Sequence, residues 1–184
     1  MLLDLHGVDV LVVGAGPVAA AKVAGLYAAG ADVRVVAPSV SPAMRAHLDA
    51  GRARVVADRP YVVDDLDGAR LVVTATGASE VDDAVAHDAT ARGVWVNAAD
   101  HPSACSFILP AVARNGPLTV AVGTDGASPA LARRLRDLAG RMLADDVVAL
   151  AARLAAARAA VRAGGGSTED VDWSAEIDAV VPPP

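Results

Sequence analysis

The most restrictive feature of this chain is a glycine turn at the end of a short apolar run. Val8–Val13 is followed by Gly14-Ala15-Gly16, and then by the Ala-rich segment Pro17–Ala29 with Gly30 beyond it. An apolar run of that length, a glycine pair and a helical stretch closed by glycine predict a buried strand, a tight turn and a helix. The spacing Gly14-x-Gly16-x-x-Ala19 has a mechanical reading. The first glycine permits the turn, the second lets backbone approach a pyrophosphate at the helix N-terminus, and a small third residue allows close helix–sheet packing. The bland alternative is a tight turn with no ligand.

The same rhythm continues downstream. Val33–Ala37, Arg54–Ala57, Leu71–Ala75 and Val94–Asn97 read as further strands. Helices are expected from Ser41-Pro42 to about Ala50 and from Glu80 to about Ala91, the latter capped by Ser79. Short apolar strands alternating with helices imply βαβ units, hence a parallel sheet with right-handed crossovers. After Asp100 the pattern changes. Phe107–Ala113 and Leu118–Val122 are strand-like around Arg114-Asn115-Gly116-Pro117, and Ser128-Pro129 opens a helix to about Leu143. A second Ala-rich helix over Ala144–Ala163 precedes Gly164-Gly165-Gly166-Ser167 and a tail with one short helix near Trp173–Val180. The expected fold class is α/β: a Rossmann-like parallel sheet over 1–105, a strand-pair dimerisation region over 106–143, and a C-terminal helical region with a flexible tail over 144–184.

Composition narrows the function classes. Hydrophobic residues make up 54% of the chain but aromatic ones only 3%, so the core must be filled by Ala, Val and Leu and disorder is excluded for most of its length. The net charge of −6 argues against a broad nucleic-acid surface. Cys105 is the single cysteine, which forbids an internal disulfide or a cysteine-clustered metal site and fits a reducing, cytoplasmic setting. Asp4 and Asp9 interrupt the apolar N-terminus, so it is read as a folded strand and not a signal peptide. No uncharged apolar stretch approaches the roughly 18 residues of a spanning helix, so no membrane role is expected. The histidines His6, His47, His87 and His101 are too scattered to suggest a metal cluster.

Beyond the glycine turn, three segments carry candidate chemistry. The end of the second strand, Val35-Val36-Ala37-Pro38-Ser39, lacks the acid that usually binds ribose hydroxyls, leaving Ser39 and backbone groups for that task. No arginine stands there to favour a 2′-phosphate, so NAD is expected over NADP. Asn97-Ala98-Ala99-Asp100-His101-Pro102 follows the fifth strand, at the sheet edge where ligands bind. Asp100 is therefore either a general base or metal ligand facing the cofactor, or a turn-forming aspartate. Gly123-Thr124-Asp125-Gly126-Ala127-Ser128-Pro129 is either an anion-holding loop or a plain helix cap. Arg133, Arg134 and Arg136 either meet an anionic ligand or form a solvated helix face. Cys105, in an apolar run, reads as a buried small hydrophobe.

Together these segments resemble the sirohaem synthase N-terminal family, the precorrin-2 dehydrogenases and sirohydrochlorin ferrochelatases, from about Leu5 to Met142. The most specific parts are Asn97-Ala98-Ala99-Asp100-His101-Pro102, Cys105-Ser106-Phe107-Ile108-Leu109-Pro110-Ala111, Pro117–Val122 and Ser128-Pro129-Ala130-Leu131-Ala132-Arg133. The resemblance implies NAD-dependent oxidation of precorrin-2 to sirohydrochlorin on a homodimer, with Asp100 as the catalytic aspartate. It implies cofactor contacts at Gly14, Gly16, Pro17 and Val18, at Pro38 and Ser39, and at Thr76, and iron insertion as a second activity in some members. The sequence departs from the family pattern at Thr124, Asp125 and Gly77, and its C-terminal helical region is short. The competing expectation is a non-catalytic NAD(H)-sensing dimer, which would leave the Asp100–Pro110 segment without a role.

Overall fold

The computed structural model describes residues 3–99 and 101–183, so Asp100, the expected catalytic residue, lies outside the described residues. The chain forms two compact units, one ending at Leu109 and one starting at Pro110. The first contains β1 (Asp9–Val13), α1 (Pro17–Ala28), β2 (Asp32–Val36), α2 (Pro42–Asp49) and β3 (Arg54–Ala57). It continues with β4 (Leu71–Thr74), α3 (Ser79–Ala91) and β5 (Trp95–Ala98). The five strands pair in the order β3-β2-β1-β4-β5, all parallel. The expected Rossmann-like sheet is therefore present.

The strand sequences explain why this sheet is the core. Successive side chains on a strand point to opposite faces, and a parallel sheet covered on both faces needs apolar residues at every position. Val10 and Val12 pack with Val23 and Leu26 of α1 and Met44 of α2. Leu11 and Val13 pack with Val85 and Ala89 of α3. All of these side chains are essentially excluded from solvent. The scarcity of large rings is offset by branched aliphatics at each layer, each contributing roughly 1.5–3 kcal/mol on burial.

The register decides where ligands gather. Val13 at the end of β1 lies beside Val36 of β2 and Thr74 of β4, so the loops after these strands leave the sheet at one level. The chain steps outward from β1 to β2 and β3, then returns to place β4 on the other side of β1. That reversal opens a crevice between the β1 and β4 loops, the place where doubly wound sheets bind ligands.

The second unit contains the antiparallel pair β6 (Ala111–Asn115) and β7 (Leu118–Val122), then α4 (Pro129–Gly140), α5 (Asp145–Ala163) and α6 (Ser174–Asp178). Gly116 has φ +53 and precedes Pro117, which fits the two-residue hairpin turn that has glycine at its first central position. Helix α4 packs on both strands of the hairpin. No helix among the described residues is long and apolar enough to cross a membrane.

Three local expectations are corrected. The strand expected over Phe107–Ala113 begins only at Ala111, because the residues before it fasten to β5 instead. The Ser106 amide donates to the Val96 carbonyl at 2.8 Å, and Asn97 Nδ2 donates to the Phe107 carbonyl at 2.9 Å. Ser79 does not cap α3; it is the first helical residue, and Ala78 at the cap position offers no side-chain acceptor. Cys105 is only partly buried, and its thiol is a hydrogen-bonding group. It accepts from the Ala98 amide at 3.2 Å and lies 3.3 Å from the Ala98 carbonyl and 3.4 Å from that of His101.

Candidate functional site

The glycine turn is held from both sides. The Gly14 amide donates to the Val36 carbonyl at 2.9 Å, and the Ser41 amide donates to the Ala15 carbonyl at 3.0 Å. Gly14 has φ +102, and a Cβ there would stand 2.5 Å from the Ala75 carbonyl oxygen. Backbone conformation and the close approach of the β4 end thus both demand glycine. Gly16 is different. Its φ is −76, open to any residue, and a Cβ there would meet nothing within 4 Å. Among the described residues nothing requires Gly16 to lack a side chain, so the requirement points outward, to a group that approaches the backbone. Pro17 starts α1, and no side chain caps that helix end. This combination fits a dinucleotide pyrophosphate.

Beside the turn lies a cleft of about 430 Å³. Val18 of α1 forms one wall, Ala75 and Gly77 of the β4–α3 connection with Ser79 and Asp82 of α3 another, and Ala99 and His101 the end next to β5. Val18 is half exposed, an apolar surface available to a flat ring. The structure therefore brings Gly14, Gly16, Pro17, Val18 and Thr76 to one edge. Pro38 and Ser39 form an exposed bend after β2 at the same edge, away from the residues that line the cleft.

Asp82 is the residue that sequence reasoning missed. Only 6% exposed, it is a buried carboxylate at a ligand-binding edge. Its Oδ1 accepts from the Thr74 hydroxyl, from the Thr76 amide at 3.2 Å and from the Thr76 hydroxyl at 2.8 Å. The Thr76 hydroxyl in turn accepts from the Ala78 amide at 3.1 Å. The hydroxyl proton of Thr76 is thus engaged within the turn, and what this residue presents to the cleft is a fixed backbone. Burying a carboxylate is costly unless its oxygens are satisfied, and three donors on one oxygen meet that cost. The available signal was Thr74-Ala75-Thr76 followed by an acid in the first turns of the next helix.

The neighbouring acid, Asp83, faces the last cleft residue. His101 Nδ1 lies 2.9 Å from Asp83 Oδ1, with side chains 40% and 55% exposed. Among the described residues, no three His, Cys, Asp or Glu side chains gather as a metal site.

A model of a family described as putative NAD(P)-binding matches residues 1–111. The chain belongs to this family. Residues 115–138 match the central domain of sirohaem biosynthesis proteins, which accounts for part of the second unit. The siroheme synthase of Methylobacillus flagellatus is 39% identical over 183 residues, covering 98% of this chain and 39% of that protein. The siroheme synthase of Nitrosococcus oceani is 42% identical over 136 residues, covering 74% of this chain and 29% of that protein. The chain thus spans well under half the length of these relatives. Among solved structures, SirC, a precorrin-2 dehydrogenase, aligns with a TM-score of 0.72 at 29% identity, covering 96% of this chain and 84% of that one. The dinucleotide site that the geometry supports is therefore placed in a family with the matching description.

Proposed function

We propose that this chain is an NAD-dependent dehydrogenase that oxidises precorrin-2 to sirohydrochlorin, a step of sirohaem synthesis. The observation that carries the reading is Gly16, bare of any internal packing reason, beside a cleft at the reversal point of the sheet. The likeness to SirC across nearly the whole chain supports the substrate class. The absence of both an acid and an arginine at Ala37-Pro38-Ser39 favours NAD over NADP. When bound, the cofactor supplies the hydride acceptor; the protein's contribution is position and electrostatics. Gly14, Gly16, Pro17 and Val18 hold the pyrophosphate side, Pro38 and Ser39 meet the ribose, and Thr76 forms the wall fixed by Asp82. Asp100 accepts or relays the proton released as the substrate is oxidised. The free Cys105 thiol is consistent with a reducing cytoplasm.

The test is direct. Anaerobic precorrin-2 and NAD⁺ with the purified protein should yield the sirohydrochlorin absorption spectrum. Asp100→Asn should depress turnover about 100-fold, the lower end for loss of a proton-handling group, while leaving NAD⁺ affinity nearly unchanged. An inactive wild type that still binds NAD⁺ would favour the sensing module instead.

The proposed assembly is a two-fold homodimer through the second unit. Leu131, Leu135 and Leu138 of α4, and Met142 just beyond it, are all exposed, at intervals of four, three and four residues. Such spacing lines one helical face, and symmetric pairing is the commonest way to cover one.

A further inference from the structure

We propose that His101, held against Asp83, is the outlet through which the substrate's proton leaves the cleft. The inference rests on the dehydrogenase reading. Removing two hydrogens from the substrate sends one, with the electron pair of its C–H bond, to the cofactor as hydride. The other leaves as a proton, so each turnover must deliver one proton to water. A relay that ends inside a cleft stalls unless some group touches both the cleft and the solvent.

His101 occupies that boundary. It lines the cleft, yet its side chain is 40% exposed. Its Nδ1 lies 2.9 Å from Asp83 Oδ1, in the second turn of α3. A carboxylate at that distance accepts from an Nδ1 proton and orients the ring, which leaves Nε2 as the nitrogen with a free lone pair. The balance is simple. Nε2 of neutral His101 gains the proton that the substrate or Asp100 gives up, and a water molecule then removes it. The charged and titratable groups around His101 are Asp83, the buried Asp82 on the same helix, and Cys105, whose thiol contacts the His101 carbonyl.

Asp82 and Asp83 are adjacent but do different work. Asp82 is sealed among Thr74 and Thr76, with its Oδ1 committed to three donors. Asp83 is 55% exposed, so its effect on His101 is moderate and its removal should be felt through the imidazole alone. His101 is thus the proposed catalytic residue, and Asp83 its positioning residue.

Three measurements on the full chain test this. His101→Ala should lose about 100-fold in kcat with NADH affinity, read by fluorescence, unchanged within about twofold. Imidazole added to the buffer should restore at least a tenth of the lost rate, a rescue that a merely structural histidine would not show. In the protein without cofactor, ¹⁵N NMR should find the neutral His101 ring protonated on Nδ1 in the wild type and mainly on Nε2 in Asp83→Asn. An active wild type whose His101→Ala variant keeps its rate, or loses it with no imidazole rescue, overturns the outlet. An unchanged tautomer in Asp83→Asn overturns the role of Asp83. An inactive wild type overturns the dehydrogenase reading and this inference with it, while the tautomer result still stands on its own.

Discussion

The two units differ sharply in how they are stabilised. In the first, the central strands are sealed: Val10, Leu11, Val12, Val72 and Val73 have no exposed surface. In the second, Ala132 and Leu150 are the buried hydrophobic residues, while Leu131, Leu135, Leu138 and Met142 face solvent. A five-stranded sheet with helices on both faces completes its own core; a single hairpin with one helix on it leaves an apolar helix face uncovered. On the proposed function, cofactor binding and self-association fall to different kinds of structure, one that completes its own core and one with an apolar face left to be covered.

The largest expected effect strikes the sealed unit at its glycine turn. Gly14→Ala forces a side chain into a φ of +102 and against the Ala75 carbonyl, and should cost about 3 kcal/mol in denaturant unfolding. A stable variant would show that β4 gives way there and that the first unit is looser than its burial suggests.

Next comes the uncovered face. Leu138→Asp should weaken self-association roughly 30-fold, about 2 kcal/mol, as read by light scattering across a dilution series. NAD⁺ binding should be retained, since the cleft belongs wholly to the first unit. A wild type that is monomeric at micromolar concentration would remove the contrast.

Gly16→Ala sharpens the comparison within the first unit. Because its Cβ would enter open space at an ordinary φ, stability should change by only about 0.5 kcal/mol. NAD⁺ affinity should nevertheless fall about 10-fold, or 1.4 kcal/mol, by calorimetry. Loss of stability without loss of affinity would mean that this glycine serves the fold and not a ligand.

The smallest effect concerns an ion pair of the first unit. Arg59 contacts both oxygens of Asp65, each at 2.8 Å, and that hydrogen bonding holds the Asp65 carboxyl below its usual range. A carboxylate lowered in the folded state adds stability that is complete above the unfolded value, near 3.9, and is lost as pH falls through the folded value. Arg59→Ala should therefore lower stability only slightly at neutral pH, because the arginine is partly exposed and water screens the pair. The difference between variant and wild type should narrow below about pH 4 in unfolding experiments.

Much of this was legible in the chain. The five strands appeared in order, within a residue or so at each end, because a doubly covered strand needs an unbroken apolar run and helices between them need another period. Gly14 and Gly16 announced the turn for the same local reason. The hairpin was legible as a pair but not in its starting point. Phe107 belongs to the first core, and only Asn97 and Val96 in three dimensions reveal that attachment.

What the sequence determined by itself is the alternation of strands and helices and the glycine turn. These follow from periodicity and backbone freedom, which act over a few residues. The tertiary structure alone decided which glycine serves the fold and which serves a ligand, since that depends on whether Ala75 or empty space faces the missing Cβ. It alone brought Asp82 under Thr74 and Thr76, and Asp83 against His101. Those pairings join residues that the sheet's strand order makes neighbours, and charge and hydrogen bonding act through space, not along the chain.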